Sequence, residues 1–217
     1  APTTGCRIVP TWNGEFAGRR PAPGLRSGVS GIFNYTMPTD RKHVYSGKIV
    51  DLIVDTIEVQ GKPAIREVVR HPGGVVIMAE MKDGRIAFVR QFRYPLDQKL
   101  LELPAGKLEP AEKPEVSAAR ELEEEIGFRP DSLEHVFSFF PTPGFCNELL
   151  HFYYTNHLQE TSVNPEDGED IVVEFYRLEE AIEMAECGEI MDGKTLLALF
   201  WLQWKRTEGR PALRPSN

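Results

Sequence analysis

Long apolar runs are missing from this chain: nowhere do apolar residues continue for the roughly 18 to 20 positions that a membrane-spanning helix needs. The N-terminus also lacks the apolar stretch of a secretory signal, so the cytoplasm is the expected location. Cysteine is scarce. Cys6, Cys146 and Cys187 are odd in number and far apart, which argues against a disulfide framework or a cysteine zinc site and suits a reducing compartment. Positive charge is in deficit, with 25 Lys and Arg against 33 Asp and Glu. The resulting net charge of -8 argues against nucleic acid or an anionic membrane as the main partner. A polyanionic substrate would need a cation to bridge it. No internal repeat is visible. What is present, 217 residues with 41% hydrophobic content, suffices for one large domain or one domain with a small accessory unit.

Residues 1–42 are rich in Gly, Pro and Arg and carry no period of 2 or 3.6, so they are expected to form an irregular arm. Regular patterning begins beyond Met37, and the residues before it are expected to be dispensable for folding and activity. Strands are expected at 48–53, 55–59, 64–70, 74–80 and 85–92, with Gly in "QGK", "HPGG" and "KDGR" at the turns. The first three suggest a small antiparallel sheet ahead of the main domain. A strand in "LLELPAG", a helix at 114–126, strands near 133–139, 148–155 and 171–176, and helices near 178–187 and 194–206 follow. Strands and helices mix without a regular βαβ repeat, which favours an α+β class or an α/β sandwich over a doubly wound sheet.

The segment "GKLEPAEKPEVSAARELEEEIGF", Gly106 to Phe128, crowds carboxylates onto one helix. Pro114 suits a first helical position and Gly127 suits a helix end. At about 100° per residue, Val116, Ala119, Leu122 and Ile126 are expected to pack, with Glu121, Glu124 and Glu125 on the opposite side. Like charges three and four residues apart repel by about 0.2 to 0.5 kcal/mol per pair, a penalty that a bound divalent cation would reverse. Charge pattern alone favours a solvated acidic helix in which Arg120 pairs with Glu124.

Spacing is more specific. Five residues separate Gly106 from Glu112, seven separate Glu112 from Arg120, and "RELEEEIGF" follows. This resembles the Nudix box, G-x5-E-x7-R-E-U-x-E-E-x-G-U, at every specified position. The resemblance covers about residues 45 to 205 and implies an α/β/α sandwich and an Mg²⁺- or Mn²⁺-dependent hydrolase of nucleoside diphosphates linked to another moiety. It implies Glu121, Glu125 and the carbonyl of Ala105 as metal ligands, with Glu124 a third ligand or a water-mediated one. Gly106 is expected to let the loop turn tightly. Arg120, counted with the catalytic group, is expected to brace loop and helix with Glu112.

Outside the box, "VRQFRYPLDQKLLELPAGKLEP" and "FPTPGFCNE" resemble the ADP-ribose pyrophosphatase branch. That resemblance implies substrate contacts at Arg93, whose fork of donors suits a diphosphate, and at Glu102, Glu109, Thr142, Gly144 and Glu148. The general base is expected in "NPEDGEDIVVEF", at Glu169 with Glu166 as the alternative, on a loop made by Pro165 and Gly168. The segment "YSGKIVDL…IREVVRHPG" resembles the N-terminal sheet that swaps between subunits in that branch. It implies contacts at Ile49, Arg66 and Glu67 and a homodimer. Ala111 departs from the pattern, standing where the branch often has Gly, and no tryptophan pair in the sheet is placed to clamp adenine. Trp12 lies in the arm, and Trp201 and Trp204 are expected on the packing face of the last helix.

The expected organisation is thus an arm at 1–42, a dimerising β-sheet at 43–72, a Nudix hydrolase domain at 73–207 and a tail at 208–217. The expected reaction converts ADP-ribose to AMP and ribose 5-phosphate. A nucleoside diphosphate sugar such as GDP-mannose is the alternative substrate. A non-catalytic ADP-ribose-binding module and an acidic interaction protein are the alternatives of another class.

Overall fold

The computed structural model describes residues 37–162 and 170–207. Twelve strands and three helices are assigned among them. Strands β1 (Asp40–Ser46), β2 (Asp51–Val59) and β3 (Lys62–Arg70) form an antiparallel sheet in that order. The β2–β3 turn uses Gln60 and Gly61 at φ of 53° and 75°, which matches the right-handed strand twist. Sequence patterning split β2 in two and left the start of β1 in the arm. β1 has no buried residue, so it offers no alternation to read. It is held by the ladder to β2 and by Arg41, whose Nε and Nη2 each donate to Asp55 at 2.7 Å.

Strands β4 (Gly74–Ala79), β7 (Ala105–Lys107), β9 (Glu134–Phe139) and β10 (Leu150–Thr155) make a mixed sheet in the order β7-β4-β10-β9. The antiparallel sheet β12-β5-β6 uses Ile171–Arg177, Arg85–Arg93 and Gln98–Glu102. A two-stranded ribbon pairs β8 (Phe128–Pro130) with β11 (Leu158–Glu160). Every residue of β4 is buried, and the strand serves two cores. Val76 and Met78 join Ile86, Phe88, Leu101 and residues of helices α2 (Leu178–Glu186) and α3 (Gly193–Thr207). Val75, Ile77 and Ala79 join Ala87, Val89 and residues of α1 (Pro114–Ile126). Alternate side chains of a strand point to opposite faces, so this split is the signature of a strand layer covered by helices on both sides. The α+β class and the α/β/α sandwich are borne out.

The bounds of α1 match the pattern of Pro114 and Gly127, the latter at φ 72° with its N–H bonded to Glu123. Its orientation does not match. Ser117, Ala118, Glu121, Leu122, Glu125 and Ile126 are buried, whereas Val116 is 57% exposed. Two carboxylates therefore share the packing face with the apolar residues. On α3, Trp201 packs edge-on to Phe152, while Trp204 points outward at 59% exposure.

Candidate active site

Strand β7 and helix α1 build the acidic part of the site. Gly106 pairs with Val75 within the β4–β7 ladder, so it is a strand residue and not a tight turn. Its missing side chain has a steric reason: a Cβ there would stand 1.9 Å from the Glu121 carboxyl carbon. Glu125, one helical turn beyond Glu121 on the same buried face, accepts the N–H of Ala105 at 3.1 Å. Burying two acidic side chains is costly unless they are satisfied, and here the burial brings both toward the same strand.

Arg120 organises the neighbouring groups. Its Nε and Nη2 donate to Glu112 at 3.1 and 3.2 Å, and its Nη1 lies 2.8 Å from Glu124 and 2.9 Å from Glu121. Glu112 also accepts the N–H of Glu109 at 3.1 Å, which closes the loop onto the helix. The hydrogen bond from Arg120 holds the Glu112 carboxyl below the usual carboxylate range, and the same contacts hold the guanidinium above its ordinary value. Ala111 stands in this loop at φ 63°, a left-handed conformation that costs a residue with a Cβ about 1 kcal/mol.

A second charged group lies at the end of β5. Arg93 Nε and Nη2 each donate to Glu102 at 2.7 Å, and Lys194 Nζ bonds the same carboxylate. Glu102 is 1% exposed. Burial pushes its carboxyl up, but hydrogen bonds and charge from Arg93 and Lys194 outweigh this and leave it below the usual range. Elsewhere on the site, His71 Nδ1 accepts the N–H of Gly73 at 3.1 Å and lies 3.5 Å from Glu148.

These groups surround a cavity of about 890 Å³. Of the residues expected from sequence, Ile49, Arg93, Ala105, Glu121, Thr142 and Glu148 line it. Glu102 and Glu125 are buried against lining residues, bonded to Arg93 and Ala105. Glu124 is drawn to Arg120 and is not among the lining residues. Arg66 and Glu67 lie exposed on β3, and Glu109 and Gly144 are exposed in loops; none of the four lines the cavity. Glu169 and Glu166, like Trp12, the first 36 residues and the tail, fall outside the described residues. The sequence reading missed His71, Phe140, Asp192 and Lys194, all of which line the cavity. Asp192 had a legible signal, since D-x-x-T at a helix start is a capping pattern, and its carboxylate does accept the N–H of Thr195 at 3.0 Å. Lys194 had none.

The residues present suit a hard divalent cation. Glu121 and Glu125 are oxygen donors at i and i+4, and the absence of a side chain at Gly106 makes the room that the Glu121 carboxylate occupies against β7. Among the described residues, no three His, Cys, Asp or Glu side chains are grouped to hold a cation by themselves. Such a site would thus rely on the two carboxylates, a backbone carbonyl and oxygens from substrate or water, as Mg²⁺ commonly does.

Comparison with known proteins agrees with this geometry. The model of the NUDIX domain matches residues 70–198. An ADP-ribose pyrophosphatase of Bacillus subtilis (strain 168) is 40% identical over 168 residues, covering 76% of this chain and 91% of that protein. A methanol dehydrogenase activator of Bacillus methanolicus is 38% identical over 165 residues, covering 75% and 89%. A crystal structure of an ADP compounds hydrolase superposes with a TM-score of 0.70 at 18% identity, covering 81% of this chain and 96% of that one, a likeness of fold. The described helices include none long and apolar enough to cross a membrane. With the box complete from Gly106 to Phe128 and the domain model matched over more than half its length, the chain belongs to the NUDIX domain family.

Proposed function

We propose that this protein hydrolyses the pyrophosphate of ADP-ribose, giving AMP and ribose 5-phosphate, with Mg²⁺ or Mn²⁺ as the working cation. The observation that carries the proposal is the pairing of opposite charge at one cavity: Glu121 on its wall with Glu125 buried behind Ala105, and Arg93 on the end of β5. A metal-bridged diphosphate needs both. The 40% identical ADP-ribose pyrophosphatase supports the substrate. Glu121, Glu125 and the Ala105 carbonyl would hold the cation, which when bound would offset phosphate charge and acidify water. Glu124 is assigned as a further or water-mediated ligand, and Arg120 as the brace that keeps α1 against the loop.

Arg93 is assigned to bind the diphosphate from the cavity wall, with Nε and Nη2 committed to Glu102 and Nη1 outside that fork. Thr142, Gly144 and Glu148 are assigned to the ribose end, Glu102 and Glu109 to shaping the cleft, and Ile49, with Arg66 and Glu67 reaching across a dimer interface, to the adenine end. Glu169 is assigned as the base that takes a proton from the attacking water. The water oxygen bonds to one phosphorus as the bond from that phosphorus to the bridging oxygen breaks. In-line displacement of this kind depends on charge offset and positioning more than on covalent catalysis by the protein.

Incubating the protein with ADP-ribose or GDP-mannose, with Mg²⁺ or with EDTA, tests the reading. AMP and ribose 5-phosphate are expected from ADP-ribose with Mg²⁺ alone. Faster turnover of GDP-mannose would move the assignment to nucleoside diphosphate sugars, and binding of ADP-ribose without cleavage would make the protein a binding module. Glu125→Gln is expected to lower kcat/KM at least about 100-fold, a few kcal/mol of lost stabilisation. Glu169→Gln with kcat near wild type would reject Glu169 as base.

A further inference from the structure

Glu102 is a carboxylate with 1% exposure, and a buried charge of this kind persists only when it is matched. Two cations match it. Arg93 donates through Nε and Nη2, and Lys194, from the first turn of α3, bonds the oxygen that also receives Nη2. Lys194 is itself fixed: its Nζ lies 2.9 Å from Asp192 Oδ1, while Asp192 Oδ2 accepts the Thr195 N–H at 3.0 Å and the Thr195 hydroxyl at 2.6 Å. The Thr195 oxygen in turn accepts the N–H of Leu103, next to Glu102, at 2.9 Å. Glu102, Lys194, Asp192, Thr195 and Leu103 thus close a ring between the end of β6 and the start of α3. Arg93 is the one member of the group beyond that ring, and it faces the cavity with Lys194 and Asp192.

The charges of Arg93, Glu102, Lys194 and Asp192 cancel. Without Lys194, Glu102 would lose the contact that ties its carboxylate to α3, and the Arg93 fork would rest on an acceptor free to shift. We propose that Lys194 is a positioning residue, which through Glu102 fixes the Arg93 guanidinium at the cavity wall, ready for an anionic group of a nucleoside diphosphate. The identity of that anion rests on the function proposed above; the positioning does not.

The test therefore has an arm that needs no substrate. In arginine-¹⁵N-labelled full-length protein, the Arg93 Nε–H signal, identified by its loss in Arg93→Lys, reports how firmly the fork is held. Lys194→Met is expected to speed its exchange with solvent at least about tenfold, and Lys194→Arg to leave it within about threefold of wild type. Unchanged exchange in Lys194→Met overturns the proposal. If that variant does not fold, Asp192→Asn, which loosens Lys194 and leaves Glu102 its cations, reads the same exchange, and no acceleration there overturns the proposal as well.

The second arm is kinetic. With ADP-ribose and Mg²⁺, Lys194→Met is expected to lower kcat/KM about tenfold when Arg93 is present and by less than about twofold in an Arg93→Lys background. Equal losses in both backgrounds would mean that Lys194 acts independently of Arg93, and would sink the idea. A wild-type protein that leaves ADP-ribose intact removes the proposed substrate, while the exchange measurement still decides the role of Lys194.

Discussion

One missing methyl group lets the Glu121 carboxylate lie against β7. At Gly106 the obstacle to a Cβ is the far end of the Glu121 side chain, 1.9 Å away, and not backbone. Gly106→Ala can therefore be accommodated by swinging a flexible carboxylate aside. Its expected effect is a stability change within about 1 kcal/mol, as for a substitution the structure can absorb, with kcat/KM down at least about 100-fold because the carboxylate proposed to hold the cation has moved. Urea unfolding and steady-state kinetics on the same preparation check this, and activity within threefold of wild type would show that Glu121 need not stand where it does. The residue types of the box were legible because their spacing is set by the helix and by this single close approach. Lys194 was not legible, since a lysine in the first turn of a helix has no motif, and only the tertiary meeting of α3 with β6 gives it a partner.

The β9–β10 pair carries a titrating device that its own sequence does not announce. Ser138 Oγ lies 3.0 Å from His135 Nε2 and 2.8 Å from His151 Nδ1, and Tyr153 meets the His135 ring edge-on at 5.3 Å. One hydroxyl can donate to one neutral imidazole and accept from the other; two imidazoliums could both donate to it, but would set like charges in rings 6.0 Å apart. Burial lowers the pKa of both histidines, and His135 lowers that of His151 further. A histidine depressed in the folded state binds fewer protons than in the unfolded chain. Stability is thus complete above the ordinary value of about 6.5 and is lost as pH falls from there through the folded value. The carboxylates of Asp55, Glu112 and Glu174, all depressed by arginine partners, lose their contribution only lower, as pH falls below about 4. Urea midpoints measured at pH 7.5 and 5.5 are expected to fall in the wild type and to fall less in His151→Gln. Equal falls would exclude the histidine pair as the source. Elements were legible wherever a period or a cap marked them, as at α1. They were not where three residues suffice, as in β7, β8 and β11, or where no face is buried, as in β1. The packing face of α1 was misjudged for a related reason: periodicity assumes that carboxylates seek solvent, and here Glu121 and Glu125 are buried for the site.

At the scale of the molecule, the β1–β2–β3 sheet has little core of its own among the described residues, with buried side chains on β2 alone. Neither β1 nor β3 has a buried residue, and Val44, Tyr45, Ile49, Val50 and Ile65 leave apolar side chains exposed on or beside the sheet. Contiguous exposed apolar surface marks interfaces, and we propose that these side chains form one such surface. Ile49 also lines the cavity, so whatever covers the sheet edge lies close to substrate. The occupant we assign is a second copy of the chain, placed so that each sheet serves the pair. Light scattering at micromolar concentration is expected to give about 49 kDa, twice the 24.5 kDa chain, because closed twofold pairs are the commonest symmetric assembly. A charge placed in the patch, Tyr45→Asp, is expected to shift the mass toward the single chain and to raise KM for ADP-ribose more than it lowers kcat, since the proposed cation-binding carboxylates on α1 stay intact. A wild-type mass near 24.5 kDa would leave the sheet without its assigned partner. A monomeric Tyr45→Asp with unchanged KM would separate the dimer from the site, and the adenine end of the cavity would then be closed by this chain alone.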